Sequence, residues 1–325
     1  MSSITAATHK NLVLVSGRAH PDLAAQVAKE LGTELIETEA RTFANGEIYA
    51  RFGESVRGCD AFVIQAHPFP INDWLMEQLI MVDALKRASA KRITVVAPFF
   101  PYARQDKKSR GREPISARLI ADLYRAAGAN RIMSVDLHAA QIQGFFNGPV
   151  DHLFAMPVLL EHFKAQLDPN TLTVVSPDMG RVRVADIWSD KLGAPLAIIH
   201  KRRDPKVPND VSVHEIVGEV DGRVCLLVDD MIDTGRTIAK AAEALKKNGA
   251  KSVVVAATHA VFSDPATEVL QSKAIDQVVV TDTLPVAEDK RWDRLTVLPI
   301  APLLARAIRE VFEDGSVTSM FDGAA

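Results

Sequence analysis

Asp229 and Asp230 stand side by side at the end of an apolar run, Val224 to Val228. Asp233, Thr234, Gly235, Arg236 and Thr237 follow them closely. Carboxylates at the carboxyl end of a strand accept hydrogen bonds well, and suit a sugar diol or a metal ion. They repel phosphate. The turn after them has the opposite chemistry: two threonine hydroxyls and backbone N–H groups over the start of a helix, where an anion is favoured. A second stretch, PFFPYARQDKKSRGREP, carries five cations between Arg104 and Arg112. Arginine there can grip phosphate oxygens bidentately. A third, HKRRDPKVPND from His200, combines clustered charge with two prolines, which marks a loop. His138 closes an apolar run, and a neutral imidazole is a good metal ligand. Asp178, in SPDMG, offers a hard oxygen suited to Mg2+. Each feature also has a plainer reading: a solvated acidic turn, a solvated basic face, a structural histidine.

These residues need strands that end and helices that begin at the right places. Apolar runs predict strands at Leu12 to Ser16, Thr33 to Glu39, Ala61 to Ala66, Arg92 to Ala97 and Ile132 to Val135. In the second half they fall at Thr171 to Val175, Pro195 to Ile199, Glu215 to Glu219, Val224 to Val228, Ser252 to Thr258, Gln277 to Thr281 and Leu295 to Ile300. Helical spacing covers Pro21 to Leu31, Asn72 to Arg87, Ser116 to Ala127, the stretch after Asp178 to Leu192, the stretch after Thr237, a helix from Pro265, and Ala301 to Phe312. Gly32, Gly128, Gly193 and Gly249 stand where helix stops belong. Such alternation predicts an α/β fold with parallel sheets, whose ligands sit at the carboxyl ends of strands. RTFANGEIYARF differs: Asn45-Gly46 between alternating segments predicts a hairpin.

One internal repeat is visible. ALKRASAKRITVVA at Ala84 to Ala97 aligns with ALKKNGAKSVVVAA at Ala244 to Ala257, an offset of 160, with seven of fourteen positions identical. It fits two similar α/β domains, 1–155 and 156–325, of which only the second keeps the acidic loop.

Bulk properties set limits. A chain of 325 residues with 47% apolar and 24% charged residues suits two soluble globular domains. A net charge of −3 argues against a nucleic-acid partner bound by overall positive charge. No apolar run reaches the ~18 residues of a membrane span. The N-terminal stretch lacks a signal-peptide core, and two cysteines make no disulfide framework, so a cytoplasmic setting is expected. GxxxxGK[ST], GxGxxG and a kinase glycine-rich loop are all absent, so a bound nucleotide needs another kind of site.

VDDMIDTGRT resembles the phosphoribosyl-diphosphate binding motif of the type I phosphoribosyltransferase fold. With FANGE, ARQD, VDLH and HKRR, the resemblance narrows to the ribose-phosphate diphosphokinases and runs from about Leu12 to Phe321. That family makes 5-phosphoribosyl 1-diphosphate and AMP from ATP and ribose 5-phosphate, for nucleotide, histidine and tryptophan biosynthesis. The resemblance implies two parallel-sheet α/β domains of that fold, with Mg2+ as cofactor. It assigns ATP to Phe43, Asn45 and Glu47, reached from a neighbouring subunit, and to Arg104, Gln105 and Asp106. It assigns ribose 5-phosphate to Arg203 and to Asp229, Asp230, Asp233, Thr234, Gly235, Arg236 and Thr237. Lys201 and Arg203 become catalytic residues on a flexible loop, and His138 and Asp178 become metal-associated. Ser55, Arg57, Ser316 and Ser319 become an allosteric site for activating phosphate or inhibitory ADP. A homo-oligomer, a hexamer, is implied as well. Met179, Arg181 and Arg236 depart from the small residues common at those positions. The competing readings are a phosphoribosyltransferase, which consumes the activated ribose, and a catalytically inactive regulatory relative.

Overall fold

Strand and helix alternate along the chain, and each change of element follows a local signal. The computed structural model describes residues 10–202 and 213–321. Contacts divide the chain into two units: one runs to Phe154 and resumes at Ala301, the other runs from Ala155 to Ile300.

The first unit begins with β1 (Leu12–Ser16), α1 (Pro21–Leu31), β2 (Thr38–Thr42), β3 (Ile48–Phe52), β4 (Asp60–Ile64) and α2 (Ile71–Arg87). It continues with β5 (Arg92–Val96), α3 (Ser116–Ala127), β6 (Arg131–Val135) and β7 (Val150–Leu153). Strands β1, β4, β5, β6 and β7 lie side by side in that order, all parallel. β4 is buried along its whole length, as expected of a parallel strand covered on both faces. Val15, Val63, Val95, Ile120 and Tyr124 belong to the core that joins sheet and helices. β2 and β3 form the expected antiparallel hairpin. Its turn needs glycine at position 46, where φ is 90°.

The second unit holds α4 (Met156–Lys164), β8 (Leu172–Ser176), α5 (Val182–Leu192), β9 (Leu196–Arg202), β10 (Val213–Val217) and β11 (Val224–Ile232). Then come α6 (Arg236–Lys247), β12 (Ser252–Ala260), α7 (Ala266–Leu270), β13 (Gln277–Thr281) and β14 (Leu295–Leu298). The sheet order is β10-β9-β8-β11-β12-β13-β14, parallel except for β10, which pairs antiparallel with β9. The apolar face of α6, with Ile238, Ala241, Ala242 and Leu245 at helical spacing, packs into a core with Leu227, Val255 and Val280.

The repeat seen in the sequence is a repeat of topology. A parallel bridge joins Leu14 to Leu35, so the segment at Leu35 flanks β1 as β9 flanks β8. Outward from there, β1-β4-β5-β6-β7 corresponds to β8-β11-β12-β13-β14. β1 and β8, and likewise β5 and β12, start 160 residues apart.

Several expectations shift. Thr33 to Glu39 makes only the bridge at Leu35 before β2 begins at Thr38. β7 has no counterpart in the sequence reading, because four residues after Gly148-Pro149 give too short an apolar signal. β11 does not stop at Val228: β12 offers ladder partners as far as Ala260, so Asp229 lies inside the strand opposite Ala257. The last helix, α8 (Ala301–Phe312), counted with the second domain from sequence, packs on α1 of the first unit. There Arg309 Nη2 donates to Glu30 O at 3.3 Å, and Asp314 beyond the helix pairs with Lys10 and Arg92. Among the described residues no helix is long and apolar enough to cross a membrane.

Candidate active site

In the second unit the acidic tip is built by β11 and the helix that follows it. Asp229 and Asp230 are half-buried near the carboxyl end of the strand. Asp233 and Thr234 lead to Gly235, whose φ of 71° starts α6 without a side-chain cap. Gly235 is needed twice over: its backbone is left-handed, and a Cβ would come within 3.1 Å of Leu270. The early N–H groups of a helix have no intrahelical acceptor, so the start of α6 beside Thr234 and Thr237 can receive an anion. Arg236 and Thr237 are exposed in its first turn.

Asp178 follows β8 in the same unit. Its Oδ1 accepts from Gly180 N at 2.8 Å and caps a short 3-10 turn, Met179–Arg181, that leads into α5. That turn delivers Arg181 to the acidic tip. Arg181 Nε lies 3.2 Å from Asp229 Oδ1, and Nη2 lies 2.5 Å from Asp230 Oδ1. Asp230 N–H also donates to Asp229 Oδ1 at 2.9 Å. Burial, and then the neighbouring Asp230 carboxylate, push the Asp229 carboxyl up to about 8 despite the pull of Arg181. Lys201 lies on β9, opposite His214 in the ladder with β10. Arg203, and the rest of the charged loop as far as 212, fall outside the described residues.

The first unit places its candidates at strand ends as well. The loop after β5 exposes Arg104 and Gln105 but turns Asp106 inward, where its carboxylate accepts from Gln141. Gln105 anchors the start of α3, its side chain accepting from Ser116 Oγ at 2.5 Å. His138 is half-buried just past β6, two residues after Asp136, whose φ is 39°. At the hairpin tip Phe43, Asn45 and Glu47 are all exposed. Phe43 N–H donates to Glu47 O at 2.8 Å, Glu47 N–H to Asn45 Oδ1 at 3.2 Å, and Arg41 lies 5.4 Å from the Phe43 ring centre. An aromatic ring beside polar edges is a purine-like surface. Ser55 and Arg57 are exposed around buried Val56. Ser316 and Ser319 are exposed too: Ser319 Oγ donates to Ser316 O at 2.6 Å, and Phe321 packs edge-on against Phe154.

The chain as a whole is similar to known proteins. Residues 12–128 match the family model for the N-terminal domain of ribose phosphate pyrophosphokinase, and residues 205–322 match the phosphoribosyl synthetase-associated domain. A ribose-phosphate pyrophosphokinase of Streptomyces coelicolor is 62% identical over 322 residues, covering 99% of each chain. The one of Mycobacterium tuberculosis is 63% identical over 317 residues, 97% of each chain. This chain belongs to the ribose-phosphate pyrophosphokinase family. A crystal structure of phosphoribosylpyrophosphate synthetase from Mycobacterium smegmatis shares the fold at a TM-score of 0.88 and 61% identity, over 94% of this chain and all of that one.

Family membership bears out the motif resemblance and the α/β fold with parallel sheets. Arg181 is the residue whose place the sequence reading missed. The sequence shows it only as a departure from a small residue, and nothing in a single sequence ties position 181 to positions 229 and 230.

Proposed function

We propose that this protein transfers the β,γ-diphosphoryl group of ATP to the 1-hydroxyl of ribose 5-phosphate, giving 5-phosphoribosyl 1-diphosphate and AMP. The observation that carries this reading is the β11–α6 junction, where two hydroxyl-accepting carboxylates near the end of the strand precede a helix start at Gly235 that suits a phosphate. Asp229 and Asp230 accept from the ribose hydroxyls. Asp233 to Thr237 cradle the 5-phosphate, with Arg236 adding a cation in the first helical turn. In the first unit Arg104 and Gln105 contact ATP, and Asp106 shapes their loop from within. Phe43, Asn45 and Glu47 hold adenine in a neighbouring subunit of a homo-oligomer, a hexamer by family likeness. The protein works in the cytoplasm. Phosphate and ADP act as effectors at Ser55, Arg57, Ser316 and Ser319.

The sugar 1-hydroxyl gives up its proton to solvent and its oxygen forms a bond to the β-phosphorus as the bond from that phosphorus to the α,β-bridging oxygen breaks, so AMP departs. Charge develops on phosphate oxygens, and the protein contributes mainly position and opposite charge. Lys201 and Arg203 supply that charge at the transferring group. Mg2+ typically keeps several waters and binds through one or two protein ligands plus substrate phosphates. Among the described residues no group of three or more acidic, histidine or cysteine side chains is placed to hold a metal. His138 in the first unit and Asp178 in the second are each a single candidate ligand, and such sparse ligation would suit an ion that arrives on ATP. When bound, Mg2+ would offset charge on the phosphate oxygens.

Separation of the nucleotide products tests the reaction class. With ATP, ribose 5-phosphate and Mg2+, AMP accumulates in step with sugar consumed. Accumulation of ADP would make the protein an ordinary phosphoryl kinase and overturn the proposal.

A further inference from the structure

We propose that Arg181 is a positioning residue for ribose 5-phosphate: its guanidinium draws Asp229 and Asp230 together and sets both carboxylates for the sugar hydroxyls. This rests on the reading of those two aspartates as the ribose-binding pair. Successive residues on a strand face opposite sides of the sheet, so neighbouring aspartates do not by themselves serve one ligand. When both are ionised they also repel. One side chain answers both problems here, with Nε 3.2 Å from Asp229 Oδ1 and Nη2 2.5 Å from Asp230 Oδ1. A planar fork with fixed donors can span two carboxylates, which a point charge cannot do. The arrangement is supported from behind. The Arg181 side chain is only 16% exposed, and its backbone sits at the end of the turn that Asp178 caps through Gly180. Presetting both acceptors lowers the ordering cost when the sugar binds, so the benefit belongs to sugar affinity rather than to the chemical step.

The test is steady-state kinetics of the full-length enzyme with both substrates, alongside thermal melting. Arg181→Met should raise KM for ribose 5-phosphate about tenfold while KM for ATP and kcat stay within about twofold. Arg181→Lys keeps charge and length, so it stays informative if the methionine variant folds poorly. It should recover only part of the affinity, because an ammonium serves one carboxylate well at a time. Asp230→Asn should raise the sugar KM by itself, and adding Arg181→Met to it should cost less than in the wild type, since the two act through one another. A sugar KM unchanged or lowered in Arg181→Met, with Asp230→Asn still impaired, overturns the proposal and leaves the ribose-binding pair standing. A melting temperature lowered together with equal losses for both substrates makes Arg181 merely structural, which also overturns it. If Asp229→Asn and Asp230→Asn both bind the sugar normally, the underlying reading falls first.

Discussion

Asp229 ends a buried run with a carboxyl group whose surroundings disfavour its charge. Its value in the folded protein, about 8, lies above the ordinary 3.8. The native state therefore holds an extra proton between those values, and the stability this contributes is complete at low pH and is lost as pH rises through about 8. Asp229→Asn removes the titration. Melted without ligands, that variant should be more stable than the wild type at pH 8.5 by at least ~2 °C, with a smaller difference at pH 5. A difference that does not change with pH would refute the account of Asp229. Lys201 makes a different residue-scale prediction. A charge acting on the transferring group acts in the transition state, so Lys201→Ala should lower kcat by ~10²–10³ and leave KM for ATP within about threefold. Were KM for ATP to rise with kcat intact, Lys201 would be a binding residue.

At the scale of elements, the hairpin β2–β3 depends on a buried ion pair. Glu77 on α2 is fully buried; its carboxylate accepts from Arg18 Nε at 2.6 Å, Arg18 N at 2.8 Å and Gln65 Nε2 at 2.9 Å. Arg18 Nη2 reaches on to Thr42 Oγ1 at 3.0 Å, one residue before Phe43. Helix and hairpin are thereby joined through one guanidinium. Glu77→Gln should destabilise by ~1–3 kcal/mol, below the ~3–5 typical of a buried pair, because the Arg18 side chain remains 34% exposed. Thr42→Val removes only the last link. It should raise KM for ATP ~2–5-fold and lower the melting temperature by no more than ~1–3 °C, as expected of one lost hydrogen bond worth ~0.5–1 kcal/mol. An unchanged KM for ATP in Thr42→Val would mean that this chain does not position the hairpin for nucleotide. Helices bounded by glycine stops were legible in the sequence: α1, α3 and α5 end where Gly32, Gly128 and Gly193 indicate. Strand ends were less so. Asp229 continues β11 because β12 supplies a ladder beside it, and a partner distant in the chain leaves no mark in the local pattern.

Over the whole molecule, the duplicated strand order explains why a single 160-residue repeat could be seen at one helix and strand and hardly elsewhere. Burial between helices keeps α2 with β5 similar to α6 with β12, while the loops at the carboxyl ends have diverged. DDMIDTGRT occurs once, so the two halves carry different ligand chemistry on one topology. The return of α8 to the first unit was not legible, since an amphipathic helix shows that it has an apolar face but not which neighbour covers it. The proposed sharing of sites between subunits belongs to this scale as well. Glu47→Ala and Asp233→Ala proteins, each folded and each inactive, should regain activity when mixed and allowed to exchange subunits. No recovery in proven mixed oligomers would place the hairpin in its own subunit's site.

The most direct measurement of the central claim is phosphorus NMR of the protein with ATP, ribose 5-phosphate and Mg2+. The account predicts that the β- and γ-phosphorus signals of ATP are replaced by a pair of coupled diphosphate signals, one of them also coupled to the proton on C1 of the sugar, together with AMP. A single new sugar phosphate accompanied by ADP, or ATP left intact beside the sugar in active-enzyme conditions, would contradict it.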